Sequence, residues 1–203
     1  MVKINYVIAT WVGKCNRNSN DLCPDPNFIL KEHIEQLNCI KHGLAQITVM
    51  KPFCEQIAYP KYYDCIKGQD QDRGDVVCIE CENFGYSNGQ WLKCYELFKD
   101  QFDYYLFVED DYIPTIDFFD DLLVKIHSQK FNDGIGLLCS LVQGGKPNSK
   151  YPVHWEGCVF TNADTLKKMY CFWDESPRKH LDLITHANSG IRIFDKIRKK
   201  YIG

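Results

Sequence analysis

The chain has 203 residues, 45% of them hydrophobic and 25% charged, with a formal net charge of −3. This is ordinary globular composition, and the length suffices for one substantial domain with its own core. It excludes the strong basic excess of a nucleic-acid-binding surface, and no run of about 18 apolar residues predicts a membrane span.

The first element is "INYVIATW" (Ile4 to Trp11), a β-rich run read as a strand. The stretch Met1 to Thr10 lacks the longer apolar core of a signal peptide. The chain is therefore expected to be cytoplasmic, or to be part of a longer multidomain protein. A polar loop with Asn16, Asn18, Asn20, Pro24 and Pro26 follows. "NFILKEHIEQLNCIKHGL" then places Phe28, Ile29, Ile34, Leu37, Ile40 and Leu44 at helical spacing. "QITVM" (Gln46 to Met50) predicts a second strand, stopped by Pro52, and "DVVCIE" (Asp75 to Glu80) a third. "NGQWLKCYELFKD" predicts a helix with Trp91, Tyr95 and Phe98 on one face. "YYLFVEDDYIP" is a fourth apolar strand that ends in three carboxylates, Glu109, Asp110 and Asp111. "DFFDDLLVKIHSQ" predicts another helix, and "GIGLLCSLV" (Gly134 to Val142) another strand.

Strands and helices alternate, and the strands are continuous apolar runs. That pattern predicts an α/β domain with a mostly parallel sheet covered on both faces. Ligands of such sheets bind beyond the carboxyl ends of the strands, which is where Glu109 to Asp111 fall.

The cysteines number eleven, an odd count without a secretory signal, which predicts free thiols serving as small apolar residues. Only Cys78 and Cys81 form a CxxC, with no second pair or neighbouring histidines for zinc. In a strand, residues three apart point to opposite faces, so core filling is the preferred reading.

Clustered carboxylates at a strand end repel one another unless a cation offsets the charge. Oxygen-only donors suit Mg²⁺ or Mn²⁺, which bridge one or two carboxylates to a substrate diphosphate. The plainer alternative is a solvated acidic turn capping the next helix, but Asp117 already offers charge near that helix's first turn.

An apolar strand closing on acid-Asp-Asp resembles the DxD motif of GT-A glycosyltransferases. "VIATW" resembles their first strand, where a Thr and an aromatic follow the strand and meet the nucleotide. "ENFGYSNGQW" (Glu82 to Trp91) resembles the Asn/Gly stretch upstream of the DxD strand, at the right distance from Glu109. Downstream, "EGCVFTNADTLKKM", "FWDES" and "HLDLITHANSGIRI" more loosely resemble the acceptor-side segment, with Asp182-Leu183 and Gly190 at plausible positions. More loosely, small size and texture are similar to compact glycosyltransferase domains of large algal viruses.

The resemblance implies a single Rossmann-related GT-A domain over 1–203, with 1–114 binding the nucleotide-sugar and 115–203 the acceptor. It implies a hexosyltransferase that moves a sugar from a nucleotide-sugar, UDP-linked by expectation, to a hydroxyl of a glycan or protein, using Mn²⁺ or Mg²⁺. Asp111 is then the metal ligand, with His186 as a second ligand or simply a polar surface residue. Glu109 or Asp110 acts toward the ribose or a metal-bound water. Trp11 stacks on the base with Thr10 beside it, or is a core residue at a strand end. Gly85 and Asn88 allow close approach to the nucleotide, or form a plain turn before a helix. Asp182 is the first choice for the base that takes the acceptor proton, with Asp174 and Glu175 as competitors. The chain departs from inverting relatives, which carry Glu-Asp where it has Lys179 and His180. The second strand also departs, ending in Met50, Lys51 and Pro52 where relatives carry Asp for the base. His154 and Trp155 are candidates for the acceptor site.

Sugar-phosphate nucleotidyl transfer is the competing enzyme class. It normally needs a Gly-rich basic loop after the first strand, and "WVGKCNRNSN" has one glycine. A non-catalytic carbohydrate-binding domain is the third possibility.

Overall fold

The computed structural model describes residues 2–10, 26–53, 75–82, 86–144 and 153–170. In chain order the elements are β1 (Ile4–Ala9), α1 (Pro26–Cys39), β2 (Gln46–Phe53), β3 (Asp75–Glu82), α2 (Tyr86–Phe98), β4 (Tyr104–Glu109), α3 (Phe119–Lys130), β5 (Leu137–Gly144), β6 (Val153–Asn162) and α4 (Ala163–Tyr170). The strands form one six-stranded sheet in the order β3-β2-β1-β4-β6-β5. β1 to β4 are mutually parallel. β6 runs antiparallel to both its neighbours, so β5 shares the direction of the first four strands. This is the expected mostly parallel α/β sheet.

Alternation along the strands divides the core in two. Ile4, Tyr6 and Ile8 of β1, with Leu106 and Val108 of β4, face α1 and α3. Val7 and Ala9 of β1, with Tyr105 and Phe107 of β4, face α2, whose Trp91, Cys94 and Tyr95 cover them. α1 buries Leu30, Ile34 and Leu37, a stripe of helical spacing. Cys78 packs on the α1 side and Cys81 on the α2 side, as strand geometry requires of residues three apart. Cys39, Cys78, Cys81, Cys94 and Cys158 carry free thiols. Burial pushes the Cys94 thiol up to about 12, which makes it a packing group rather than a nucleophile.

Three of the boundaries that differ from the sequence expectation have a clear physical cause. α1 ends at Cys39, and the following chain is held from a distance: Lys41 N–H donates to Asp117 Oδ1 (2.9 Å) and Gly43 N–H to Asp120 Oδ2 (2.7 Å). Asp117 thus ties α1's exit to the start of α3 instead of capping α3. β2 runs through Pro52 to Phe53. Its pairing with β1 stops at Met50, whereas its pairing with β3 continues to Phe53. Pro52 therefore sits where one side of the strand has no ladder partner, a position proline tolerates. β5 starts at Leu137 rather than Gly134, because Gly134 has a left-handed φ of 71° and its N–H closes a turn onto Phe131 O. No helix among the described residues is long and apolar enough to cross a membrane.

Candidate functional site

The site is built where β1 and β4 end side by side. Their register pairs Ile8 with Val108 and Ala9 with Glu109, so the residues that follow, Thr10 and Asp110, leave the sheet together. The first turns of α2 close this corner from one face. Ser87 Oγ donates to Glu109 Oε1 at 2.8 Å. Gln90, only 2% exposed, grips Thr10 twice: its Oε1 accepts from Thr10 N–H (3.0 Å) and its Nε2 donates to Thr10 O (2.9 Å). Thr10 Oγ1 donates to Met50 O at 2.7 Å, which carries the brace on to β2. Trp91 Nε1–H donates to Val108 O at 3.2 Å. One helix N-terminus thereby locks the ends of two strands.

The other face is braced through α1. After Glu109 the chain makes a β-turn, closed by Tyr112 N–H donating to Glu109 O (3.0 Å), with Asp110 and Asp111 at its centre. His33 Nδ1 lies 2.8 Å from Asp110 O, and Tyr6 Oη lies 2.7 Å from His33 Nε2. A carbonyl only accepts, so Nδ1 carries the proton and donates. Nε2 then accepts from the Tyr6 hydroxyl. Burial holds the Tyr6 phenol well above its ordinary range, which keeps that hydroxyl a donor. Burial also pushes the His33 imidazole down to about 4, against the opposing pull of its bond to Asp110.

That depression has a measurable consequence. Between about 6.5, the ordinary value, and about 4 the unfolded chain binds the proton and the folded protein does not. Stability therefore rises with pH across this window and is lost as pH falls through it. The expected contribution is a slope approaching about 1.4 kcal/mol per pH unit. Urea midpoints from pH 7 to 4 should show it, and His33→Asn should flatten it. An unchanged slope in that variant would assign the acid sensitivity elsewhere.

Of the residues singled out in the sequence, Thr10, Glu109, Asp110 and Asp111 meet at this corner, and Asn88 lies in the first turn of α2 beside them. The triplet does not act as one unit. Glu109 is bonded toward α2, the Asp110 carbonyl toward α1, and Asp111 is exposed on the turn. Among the described residues no group of three or more His, Cys, Asp and Glu is arranged to hold a metal ion. Trp11, Gly85, Asp174, Glu175, Asp182 and His186 lie outside the described residues. β6 runs past the end of β4: its last pair with β4 is Cys158 with Val108, while its pairing with β5 continues to Val153. His154, Trp155 and Glu156 thus belong to a backbone ribbon extending beyond the acidic turn's end of the sheet.

Tyr6, His33, Ser87 and Gln90 were not anticipated. His33 left a trace, since it occupies an apolar-stripe position between Leu30 and Leu37 of α1. Gln90 did as well, lying four residues before buried Cys94.

No protein-family model matches the sequence, and no curated protein does. The fold has counterparts among solved structures. One is 4-diphosphocytidyl-2C-methyl-D-erythritol synthase from Anaerococcus prevotii DSM 20548, with TM-score 0.54 and 10% identity over 96% of this chain and 82% of that one. Another is a Bacillus anthracis protein named as a glucose-1-phosphate thymidylyltransferase, in complex with a sucrose, with TM-score 0.52 and 11% identity over 94% of this chain and 82% of that one. At these identities the likeness is one of architecture, and the chain is a GT-A-like, Rossmann-related α/β domain.

Proposed function

We propose that the chain is a transferase of nucleotide-sugar chemistry, and that it moves the sugar from a nucleotide-sugar to a hydroxyl acceptor. The observation that carries this reading is the braced acidic turn, Glu109 to Asp111, at the carboxyl ends of β1 and β4 in a GT-A-like sheet. The donor set fits a hard divalent cation, Mn²⁺ or Mg²⁺. Exposed Asp111, with Glu109 or Asp110 near it, offers oxygen ligands without a complete protein cage, and His186, outside the described residues, is a further candidate from the sequence. That suits a cation which keeps waters and takes substrate phosphate oxygens. Such a cation, when bound, offsets charge on the departing diphosphate. The chain's own contribution is to seat the nucleotide-sugar at the corner that Gln90 and buried Thr10 brace, and to present the acceptor from the segment after β5. In the reaction the acceptor oxygen bonds to the anomeric carbon and the bond from that carbon to the diphosphate oxygen breaks. In an inverting displacement the hydroxyl proton passes to a carboxylate. Asp182 is the first candidate for that base, then Asp174 and Glu175.

A second reading is transfer of a nucleotidyl group to a sugar phosphate. The names of the two structural counterparts favour it, one being a thymidylyltransferase by name. The sequence after β1, with one glycine in "WVGKCNRNSN", favours the first. Two assays with Mn²⁺ separate them. Nucleotide-sugars with glycan acceptors should release nucleoside diphosphate. Nucleoside triphosphates with sugar 1-phosphates should release no pyrophosphate, and the opposite pair of results would install the second reading. In the glycosyl-transfer assay Asp182→Asn should retain donor affinity and lose turnover. Normal turnover would move the assignment to Asp174 or Glu175.

A further inference from the structure

Tyr6 and His33 are 1% and 0% exposed, inside a core otherwise built of Ile, Leu, Val and Phe. Their rings meet edge-on at 5.7 Å, and Phe119 packs edge-on against Tyr6 at 5.8 Å. Buried polar groups are tolerated only when bonded, and apolar side chains of similar shape would fill the same space without that demand. What the pair adds is direction. Tyr6 Oη lies 2.7 Å from His33 Nε2 and 3.4 Å from Tyr112 O, and His33 donates to the Asp110 carbonyl.

That carbonyl belongs to the central peptide of the Glu109–Tyr112 turn, between Asp110 and Asp111. A β-turn has two states that differ by a flip of this peptide. In one, the third residue keeps a negative φ; in the other, it takes a positive φ, which aspartate tolerates better than most residues. Among the described non-glycine residues only Asp100 and Phe118 have positive φ, so Asp111 is in the first state. A flip would turn the Asp110 carbonyl away from His33 and redirect the Asp111 side chain. We propose that Tyr6 and His33 are positioning residues: through the Asp110 carbonyl they hold the turn's central peptide in one orientation, and so aim Asp111 at the bound cation and diphosphate. The aim toward cation and diphosphate rests on the proposed function. The hold on the peptide does not.

The test uses His33→Leu, which removes the donor, His33→Asn, whose side-chain N–H stands near the position of Nδ1, and Tyr6→Phe, which removes the hydroxyl with little change of shape. UDP binding is measured by calorimetry with Mn²⁺ and again with chelator, well below each variant's unfolding temperature. Tyr112 amide exchange is measured by NMR against β1 amides, and the His33 ring nitrogens are observed for the Nδ1-protonated neutral form. His33→Leu should weaken Mn²⁺-dependent UDP binding by about tenfold or more, the scale for groups that orient metal ligands. It should leave binding with chelator unchanged and speed Tyr112 exchange selectively. His33→Asn should restore most of both, and Tyr6→Phe should fall between them. A lower melting temperature with equal binding and equal Tyr112 exchange in all variants would reduce the pair to core filling and overturn the proposal. If the wild-type protein binds no UDP with Mn²⁺, the functional reading with this nucleotide fails, and the Tyr112 exchange rates alone decide the hold on the turn. If His33→Leu does not fold, Tyr6→Phe and the ring-nitrogen spectrum of the wild type decide it. A proton on Nε2 instead of Nδ1 overturns it.

Discussion

Asp111→Ala is expected to lower Mn²⁺-dependent binding of nucleoside diphosphate, and transfer with it, by about 10²–10³-fold, the range seen when one charge-stabilising group is removed from a reaction centre. The folded state should be indifferent to the change. Asp111 is exposed on the turn. The hydrogen bonds that build the corner run through Glu109, the Asp110 carbonyl and the Tyr112 amide. Surface substitutions of this kind stay within about 0.5 kcal/mol. Removing one of three neighbouring negative charges also relieves repulsion. The signature is therefore a lost metal-dependent affinity with an unchanged melting temperature. Glu109→Ala should behave differently, because the Glu109 carboxylate accepts from Ser87 and ties β4 to α2. That variant should lose stability as well as affinity. Calorimetric titration with and without chelator, beside thermal unfolding, distinguishes the two. Equal affinity of the wild type and Asp111→Ala in Mn²⁺ would remove the turn from the cation's site.

The strands and the helix faces were legible because they follow from short-range periodicity. The run Tyr104 to Glu109 declared a buried strand, and Trp91, Tyr95 and Phe98 declared the inner face of α2. The corner itself was legible in part, since an apolar strand that ends in acids advertises the carboxyl end of a parallel sheet. What escaped is non-local. Apolar spacing extends α1 too far because Leu44 continues it, whereas the carboxylates that receive the chain after α1 are Asp117 and Asp120. Pro52 looks like a stop, because nothing in the local sequence tells that β1 ends before β2 does. Tyr6, His33 and Gln90 act on partners 27 to 80 residues away, and no spacing rule encodes such pairs. A histidine and a glutamine on apolar stripes are the trace they leave. Each is costly in a core unless a backbone group waits opposite.

Gln90 carries the largest expected effect on stability. Its amide satisfies both the N–H and the C=O of Thr10, and Gln90 and Thr10 are 2% and 3% exposed. Gln90→Leu would leave a buried donor and a buried acceptor without these bonds, at about 1–3 kcal/mol each. A loss of roughly 2–6 kcal/mol follows, a large part of a typical domain's stability. Gln90→Glu separates polarity from shape. The ionised carboxylate still accepts from Thr10 N–H, but its second oxygen faces Thr10 O, and a charge is buried. The protonated acid can instead donate to that carbonyl. The carboxyl should therefore sit above its unfolded value of about 4.3 in the folded protein. Above that value the folded variant binds more protons than its unfolded chain, so its stability falls as pH rises. Relative to the wild type, which carries the same His33, Gln90→Glu should lose most at neutral pH and recover toward pH 5. Gln90→Leu should show a constant deficit. Urea unfolding of the three proteins at pH 5 and 7.5 measures both differences. Equal deficits for the two variants at both values would mean that the Thr10 clamp is not what Gln90 contributes.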